Sequence, residues 1–220
     1  MEKWVVSAKR ADFQEISRKF GVDPVIARLM RNRDQITDEE IEKYLHGRLS
    51  DLHSWRLLKG MGELLKILTD KIEQKKKIRI IGDYDIDGVC STYILLKGLQ
   101  RAGAWVDVDI PDRMKDGYGI SEELIDLAAQ ASVDTIITCD NGISAISQIA
   151  HAKALGMTVL VTDHHEVPYE ELPQGEVRTI LPPADAIVNP KQEGDTYPFS
   201  GICGAMVALS LIHISEPTRR

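Results

Sequence analysis

Apolar positions recur with two different periods along this chain, and the change falls near residue 77. Before it the pattern is helical. Asp23-Pro24 supplies an N-cap followed by proline at the first helical position, and Thr37-Asp38-Glu39-Glu40 fits a capping box. Leu64, Leu65, Ile67, Leu68 and Ile72 form the apolar face of a helix through 61–74. From Ile78 short apolar runs alternate with helical stretches. Runs at 78–82, 105–110, 134–139 and 158–162, with a shorter one at 186–188, predict strands. Val89, Thr92, Tyr93, Leu96 and Leu99 predict a helix near 89–102, closed by Gly103. Ser121 opens another, a third ends at Leu155 before Gly156, and an apolar helix starts near Gly204. Strand–helix alternation implies right-handed crossovers. The expected fold class is α/β, a largely parallel sheet flanked by helices, with a small helical N-terminal region over 1–50 and the main domain over 51–212.

In such sheets ligands bind outside the carboxyl ends of the strands. Those ends carry, in order, Asp83/Asp85/Asp87, then Pro111-Asp112-Arg113, Asp140-Asn141-Gly142 and Asp163-His164-His165. Closely spaced carboxylates repel in a partly desolvated site, and a divalent cation with a taste for hard oxygen ligands, Mg²⁺ or Mn²⁺, is the usual remedy. A calcium-binding EF-hand loop shares the opening acids and glycine, but its twelfth position here is Ile94 and a strand, not a helix, precedes it. Asp85 and Asp87, two residues apart in a turn, can each serve a different metal of a pair. Two-metal sites hold their ions about 3.5–4 Å apart and need a bridging carboxylate; Asp140 is the candidate. Alone, Asp140-Asn141-Gly142 would read as a turn. Beside the other stations it reads as a ligand.

One imidazole of His164-His165 can bind metal while Asp163 orients a ring, and the other can face a phosphate oxygen. The forked guanidinium of Arg113 suits a phosphodiester, Gly117 lets backbone approach it, and Tyr118 can stack on a base. Gly204 sits at a tight helix entry that either offers N–H groups to an anion or serves close packing. His46, His53, His151 and His213 fall outside this constellation.

Composition narrows the class. Apolar residues make up 43% and charged residues 28%, ordinary for a globular chain, and no apolar stretch approaches a membrane span. Met1-Glu2-Lys3-Trp4 does not read as a signal peptide. The cysteines Cys90, Cys139 and Cys203 are scattered, so no disulfide framework is expected and a reducing cytoplasm is the default. A net charge of −7 argues against binding nucleic acid through a broad basic surface, though not against a nuclease whose acids are offset by bound cations. Lys75-Lys76-Lys77 reads as a helix end.

Taken together, GDYDIDG (82–88), IPDRMKDGYGIS (110–121), TCDNGIS (138–144), VTDHHE (161–166), AIVNPKQ (186–192) and YPFSGICGAMVA (197–208) resemble the DHH phosphoesterase family, named for the motif here at Asp163-His164-His165. The resemblance implies a phosphodiesterase using two ions, Mn²⁺ or Mg²⁺, to activate water. It points most closely to enzymes that degrade single-stranded DNA 5′→3′ in repair and recombination. By that resemblance Asp83, Asp85, Asp87, Asp140 and His164 are metal ligands or near-ligands, His165 contacts the scissile phosphate and Arg113 the strand backbone; with the readings above, the expected catalytic residues are His165 and Asp163, and the expected substrate-binding residues Arg113, Gly117, Tyr118 and Gly204. Single-stranded DNA is the implied partner, beside replication or repair proteins, for a cytoplasmic monomer. Rival expectations are a family member cutting short oligonucleotides or cyclic dinucleotides, and a non-catalytic nucleic-acid or partner-binding module. The family uses a further aspartate after the helix at Gly204. The stretch 213–220 abandons the apolar pattern, so a truncated domain with a non-native tail is expected, lacking that ligand and therefore weakly active or inactive.

Overall fold

Side-chain caps set the boundaries of the first helices. In the computed structural model, which describes residues 9–112, 119–173 and 175–212, the chain divides into two compact units, Met1–Leu52 and His53–Arg220. In the first unit Asp12 caps α1 (Phe13–Phe20), and Asp23, followed by Pro24 at the first position, caps α2 (Pro24–Asn32). The capping box of α3 (Asp38–His46) is complete in both directions: Thr37 accepts from the Glu40 amide, and the Glu40 carboxylate accepts from the Ile36 and Thr37 amides. Ala27, Met30 and Ile41 form the small core of this unit, with Phe13, Ile16 and Phe20 packed around it.

The second unit begins with a 3₁₀ turn at Trp55–Leu57 and α4 (Met61–Glu73). It then alternates as the sequence predicts: β1 (Lys77–Ile81), α5 (Ile86–Arg101), β2 (Trp105–Asp109), α6 (Glu122–Gln130), β3 (Thr135–Cys139), α7 (Ile146–Ala154) and β4 (Thr158–Thr162). A short antiparallel hairpin, β5 (Tyr169–Glu171) with β6 (Val177–Thr179), precedes β7 (Ala186–Val188) and α8 (Gly204–Leu211). Five strands form one parallel sheet in the order β2-β1-β3-β4-β7.

Successive strand residues face opposite sides, so Ile80 and Ile81 enter different cores. Ile78, Ile80, Ile137, Cys139 and Leu160 pack under α4, α5 and α8, against Leu64, Leu68, Leu95, Leu99, Val207 and Leu211. Ile81, Ile136, Val159 and Val161 pack under α6 and α7, against Ile125, Ala128, Ile149 and Ala152. Each fully buried aliphatic side chain contributes roughly 1.5–3 kcal/mol. With both faces covered, β3 is buried along its whole length, as expected of a central parallel strand. Where β1 and β2 leave the cover of the helices, charge replaces it: Arg79 grips Asp107 with two bonds of 2.8 and 2.9 Å.

Beyond shifts of a residue at strand ends, two boundaries and one hairpin differ from the sequence pattern. Helix α5 starts at Ile86 rather than near 89, because Asp85 caps it through the Gly88 amide at 2.9 Å. Asp87 therefore lies in a helical first turn, not in a free turn. Lys77 belongs to β1, since α4 closes at Gln74. The β5–β6 hairpin has strands of three residues, with β6 exposed at every position, so it carries no alternation to read. All three cysteines are free thiols, and burial pushes Cys139 up to about 12. No helix among the described residues is long and apolar enough to cross a membrane.

Candidate metal centre

The carboxyl ends of β1, β3 and β4 deliver their acids to one edge. Asp83, Asp140 and Asp163 are each 1% exposed, which is unusual for ionisable groups without compensating partners. Asp140 also holds a left-handed backbone, φ 60°, which only a minority of non-glycine residues adopt. Such strain is tolerated where surrounding structure enforces it. Here the Asp140 amide is tied to Thr162 O at 3.1 Å. Ligand atoms of Asp83, Asp85 and Asp140 lie within 4.8 Å of one another, as do those of Asp140, His164 and His165. Asp140 belongs to both groups, the position a bridging carboxylate would occupy.

Close backbone approach makes this clustering possible. A Cβ on Gly88 would stand 2.5 Å from Asp83 O, and one on Gly204 would stand 2.6 Å from Asp140 Oδ1. Helix α8 thus abuts the acid that the two groups share. Its first amides are already engaged: Gly204 N donates to Asp87 Oδ2 at 2.7 Å and Ala205 N to Asp87 Oδ1 at 2.8 Å. The anion that meets the N–H groups at Gly204 is therefore Asp87 of the same chain. Asp87 caps a helix and approaches the site through Oδ2, 3.4 Å from His164 Nε2.

Asp163 organises its own loop. Its Oδ1 accepts from the amides of His164 (2.7 Å) and His165 (3.1 Å) and lies 2.8 Å from His165 Nδ1, while Oδ2 accepts from Ile143 N at 2.9 Å. Burial opposes its ionisation, yet the bonds from His165 and from the Ile143 amide overcome this and hold the carboxyl below its ordinary range. The same contact, outweighing burial, raises His165. Burial lowers His164, whose Nε2 lies 2.9 Å from Asp140 Oδ1. Asp140 is pushed up to about 8, first by burial and then by Asp87 and Asp85, and burial likewise raises Asp83.

Two oxygens decide whether a cation fits. Asp83 Oδ1 and Asp140 Oδ1 are buried and accept no aligned hydrogen bond. A buried carboxylate oxygen without well-aligned hydrogen bonds is costly, whereas a divalent cation satisfies several at once. Anionic oxygens with an imidazole suit Mn²⁺ or Mg²⁺.

Arg113, Gly117 and Tyr118 lie outside the described residues. A further residue joins the edge. Asn189, fully buried after β7, donates to His165 O at 3.0 Å and accepts from Lys191 N at 2.8 Å. The rule that pointed to the other stations takes the residues just past the carboxyl end of each strand. Applied to Ala186–Val188, it leads to Asn189.

A parallel α/β sheet with aspartates and a histidine pair gathered at its carboxyl edge defines an α/β domain with a candidate divalent-cation centre. The chain belongs to the DHH family: the description of that family's N-terminal domain matches residues 77–220. Among curated proteins it is 39% identical over 212 residues to the single-stranded-DNA-specific exonuclease RecJ of Bacillus subtilis, covering 96% of this chain and 26% of that protein. It thus spans about a quarter of that relative's length. Among solved structures it is similar to an exonuclease RecJ bound to manganese (33% identity, TM-score 0.57, 71% of this chain and 38% of that one). It is also similar to RecJ from Thermus thermophilus in complex with Mn²⁺ (28% identity, TM-score 0.61, 92% and 26%).

Proposed function

We propose that this chain carries the catalytic centre of a metal-dependent phosphodiesterase of the RecJ type, which removes nucleotides 5′→3′ from single-stranded DNA in the cytoplasm. The observation that carries the reading is Asp140: buried, strained, with an Oδ1 that accepts no aligned hydrogen bond, and common to both clusters of candidate ligands. Its RecJ relatives, and the solved RecJ structures that hold Mn²⁺, support the choice of substrate and cation.

Asp83, Asp85, Asp140 and His164 would hold two divalent cations, with Asp87 at the margin because both its oxygens accept α8 amides; the cations would supply Lewis-acid activation of the phosphate and the attacking water. His165 is the proton-bearing group. Asp163 fixes its ring and favours the charged form, which suits hydrogen bonding to a phosphate oxygen. Asp163 is thus a positioning residue. Arg113, Gly117 and Tyr118 are proposed to hold the strand. The unit up to Leu52 is read as accessory and the unit from His53 as the catalytic domain.

The test is Mn²⁺-dependent release of nucleotides from an end-labelled single strand, with a duplex and a dinucleotide alongside. The proposal expects the single strand to be degraded from its 5′ end and Asp140→Asn to abolish both turnover and Mn²⁺ binding. Preferential cleavage of the dinucleotide would instead assign the site to short substrates.

A further inference from the structure

Five aspartates stand at this edge, and the described residues bring one lysine to meet them. Lys191 is anchored at two points. Its amide donates to Asn189 Oδ1 at 2.8 Å, and Asn189 in turn holds His165 O at 3.0 Å. Its ammonium lies 2.7 Å from Glu166 Oε1, on the residue after His165. The two side chains differ sharply: Lys191 is 28% exposed, Glu166 85%. An ion pair with one partner almost wholly in water is weak, so another anion can displace Glu166 at little cost. Glu166 and His165 also line, with Ile120, Ile143 and Gln148, a cavity of about 410 Å³ that opens beside the metal centre.

The geometry points to Lys191 as a substrate-binding residue that takes a backbone phosphate next to the one at His165, with Glu166 as the stand-in anion that the phosphate replaces. This inference rests on the proposed phosphodiesterase reading and adds a contact to it. A polyanionic strand entering an edge lined by carboxylates needs a fixed cation close to the reacting centre. Lys191 is held there through its amide on Asn189, and its ammonium rests on Glu166, a residue of the cavity wall, until substrate arrives. The competing view is a clamp that merely pins the loop after β7. The two views predict opposite behaviour for Glu166, since a clamp is weakened by removing either partner.

The experiment measures binding of a short labelled phosphorothioate single strand to the full chain in Mn²⁺ at several salt concentrations. Lys191→Met, Lys191→Arg and Glu166→Gln are compared, and Mn²⁺ affinity is measured separately. Lys191→Met should weaken binding about tenfold and reduce the salt slope by about 0.7, the value for one phosphate contact on a single strand. Lys191→Arg should retain binding, Glu166→Gln should tighten it severalfold, and Mn²⁺ affinity should stay unchanged throughout. Unchanged strand affinity and slope in Lys191→Met would overturn the inference alone. So would weakened binding in Glu166→Gln, or a parallel fall in Mn²⁺ affinity. Failure of the unsubstituted chain to bind any strand would overturn the phosphodiesterase reading and this inference with it.

Discussion

Gly204→Ala adds one methyl group against the acid that both candidate ligand groups share. The new Cβ would lie 2.6 Å from Asp140 Oδ1 and 2.9 Å from both Asp140 Cβ and Cγ. Alanine in place of glycine inside a helix normally stabilises by about 1 kcal/mol, and less at a first position. Against this stands overpacking, typically about 1–3 kcal/mol when neighbours cannot yield. Neither neighbour yields easily here. Asp140 is buried with a left-handed backbone and a tethered amide, and α8 is held to Asp87 by two amide bonds. Overpacking should therefore win by about 1–2 kcal/mol, lowering the midpoint of thermal unfolding by about 2–8 °C for a chain of this size. Displacing Asp140 should also weaken Mn²⁺ binding at least about tenfold, which corresponds to only about 1.4 kcal/mol. Gly62→Ala is the control, because it lies inside α4 with open space around the added Cβ and should stabilise by up to about 1 kcal/mol. Differential scanning calorimetry with and without Mn²⁺, plus titration calorimetry, reads both quantities. If Gly204→Ala keeps the wild-type midpoint and Mn²⁺ affinity, then α8 does not constrain Asp140 and the reasoning fails.

Other predictions concern protons, charge and packing. With Asp140 pushed up to about 8, Mn²⁺ binding near neutral pH should release protons and weaken as pH falls below 8; calorimetry in buffers of different ionisation enthalpy would detect this, and zero release refutes it. A raised carboxyl pKa makes the folded state hold protons that the unfolded state has lost, so Asp140 lowers metal-free stability progressively from about pH 4 to 8. Asp140→Asn should accordingly raise the metal-free melting temperature at pH 8 while abolishing stabilisation by Mn²⁺; a lower melting temperature would contradict this. Asp107 and Asp134 behave oppositely. Burial works against their charged forms, but Arg79 and Lys71 respectively hold both below the ordinary range. Their contribution is present above the unfolded pKa and lost as pH falls through the folded one, so Asp107→Asn should flatten the acid limb of a stability–pH curve below about pH 4. Leu95→Ala, at a fully buried position between sheet and helices, should cost about 2–5 kcal/mol in denaturant unfolding, and a loss below about 1 kcal/mol would mean the core there is poorly packed.

The sheet was legible because parallel strands covered on both faces must be apolar runs, and Ile78–Ile81, Thr135–Cys139 and Thr158–Thr162 leave little choice. The positions of Asp83, Asp140, Asp163 and the two histidines came from the rule about strand ends. What stayed hidden is what each carboxylate does once there. Asp85 and Asp87 look equivalent in a string of letters. In three dimensions one caps the helix that it begins, and the other caps a helix more than a hundred residues away. No local pattern encodes a partner that distant. The crowding at Gly204 is equally non-local, since its cause is Asp140 on another strand. The β5–β6 hairpin escaped notice because short exposed strands bury nothing, and burial is what writes a period into a sequence.

The bonds from Gly204 and Ala205 to Asp87 span 117 and 118 positions. Contacts this distant in sequence form late, because long loops must close before they are rewarded. The acidic edge should therefore acquire its final shape only as the last described helix docks, after the sheet beneath it has paired. A chain emerging from the ribosome would carry its acids for some time without the amides that fix Asp87. Cation uptake should then lag behind strand pairing, an ordering that hydrogen-exchange pulse labelling run beside a Mn²⁺ fluorescence trace can track; uptake that preceded protection of the α8 amides would argue against it. The timing of folding, as much as the identity of its ligands, would keep this centre from loading metal before it can hold it in place.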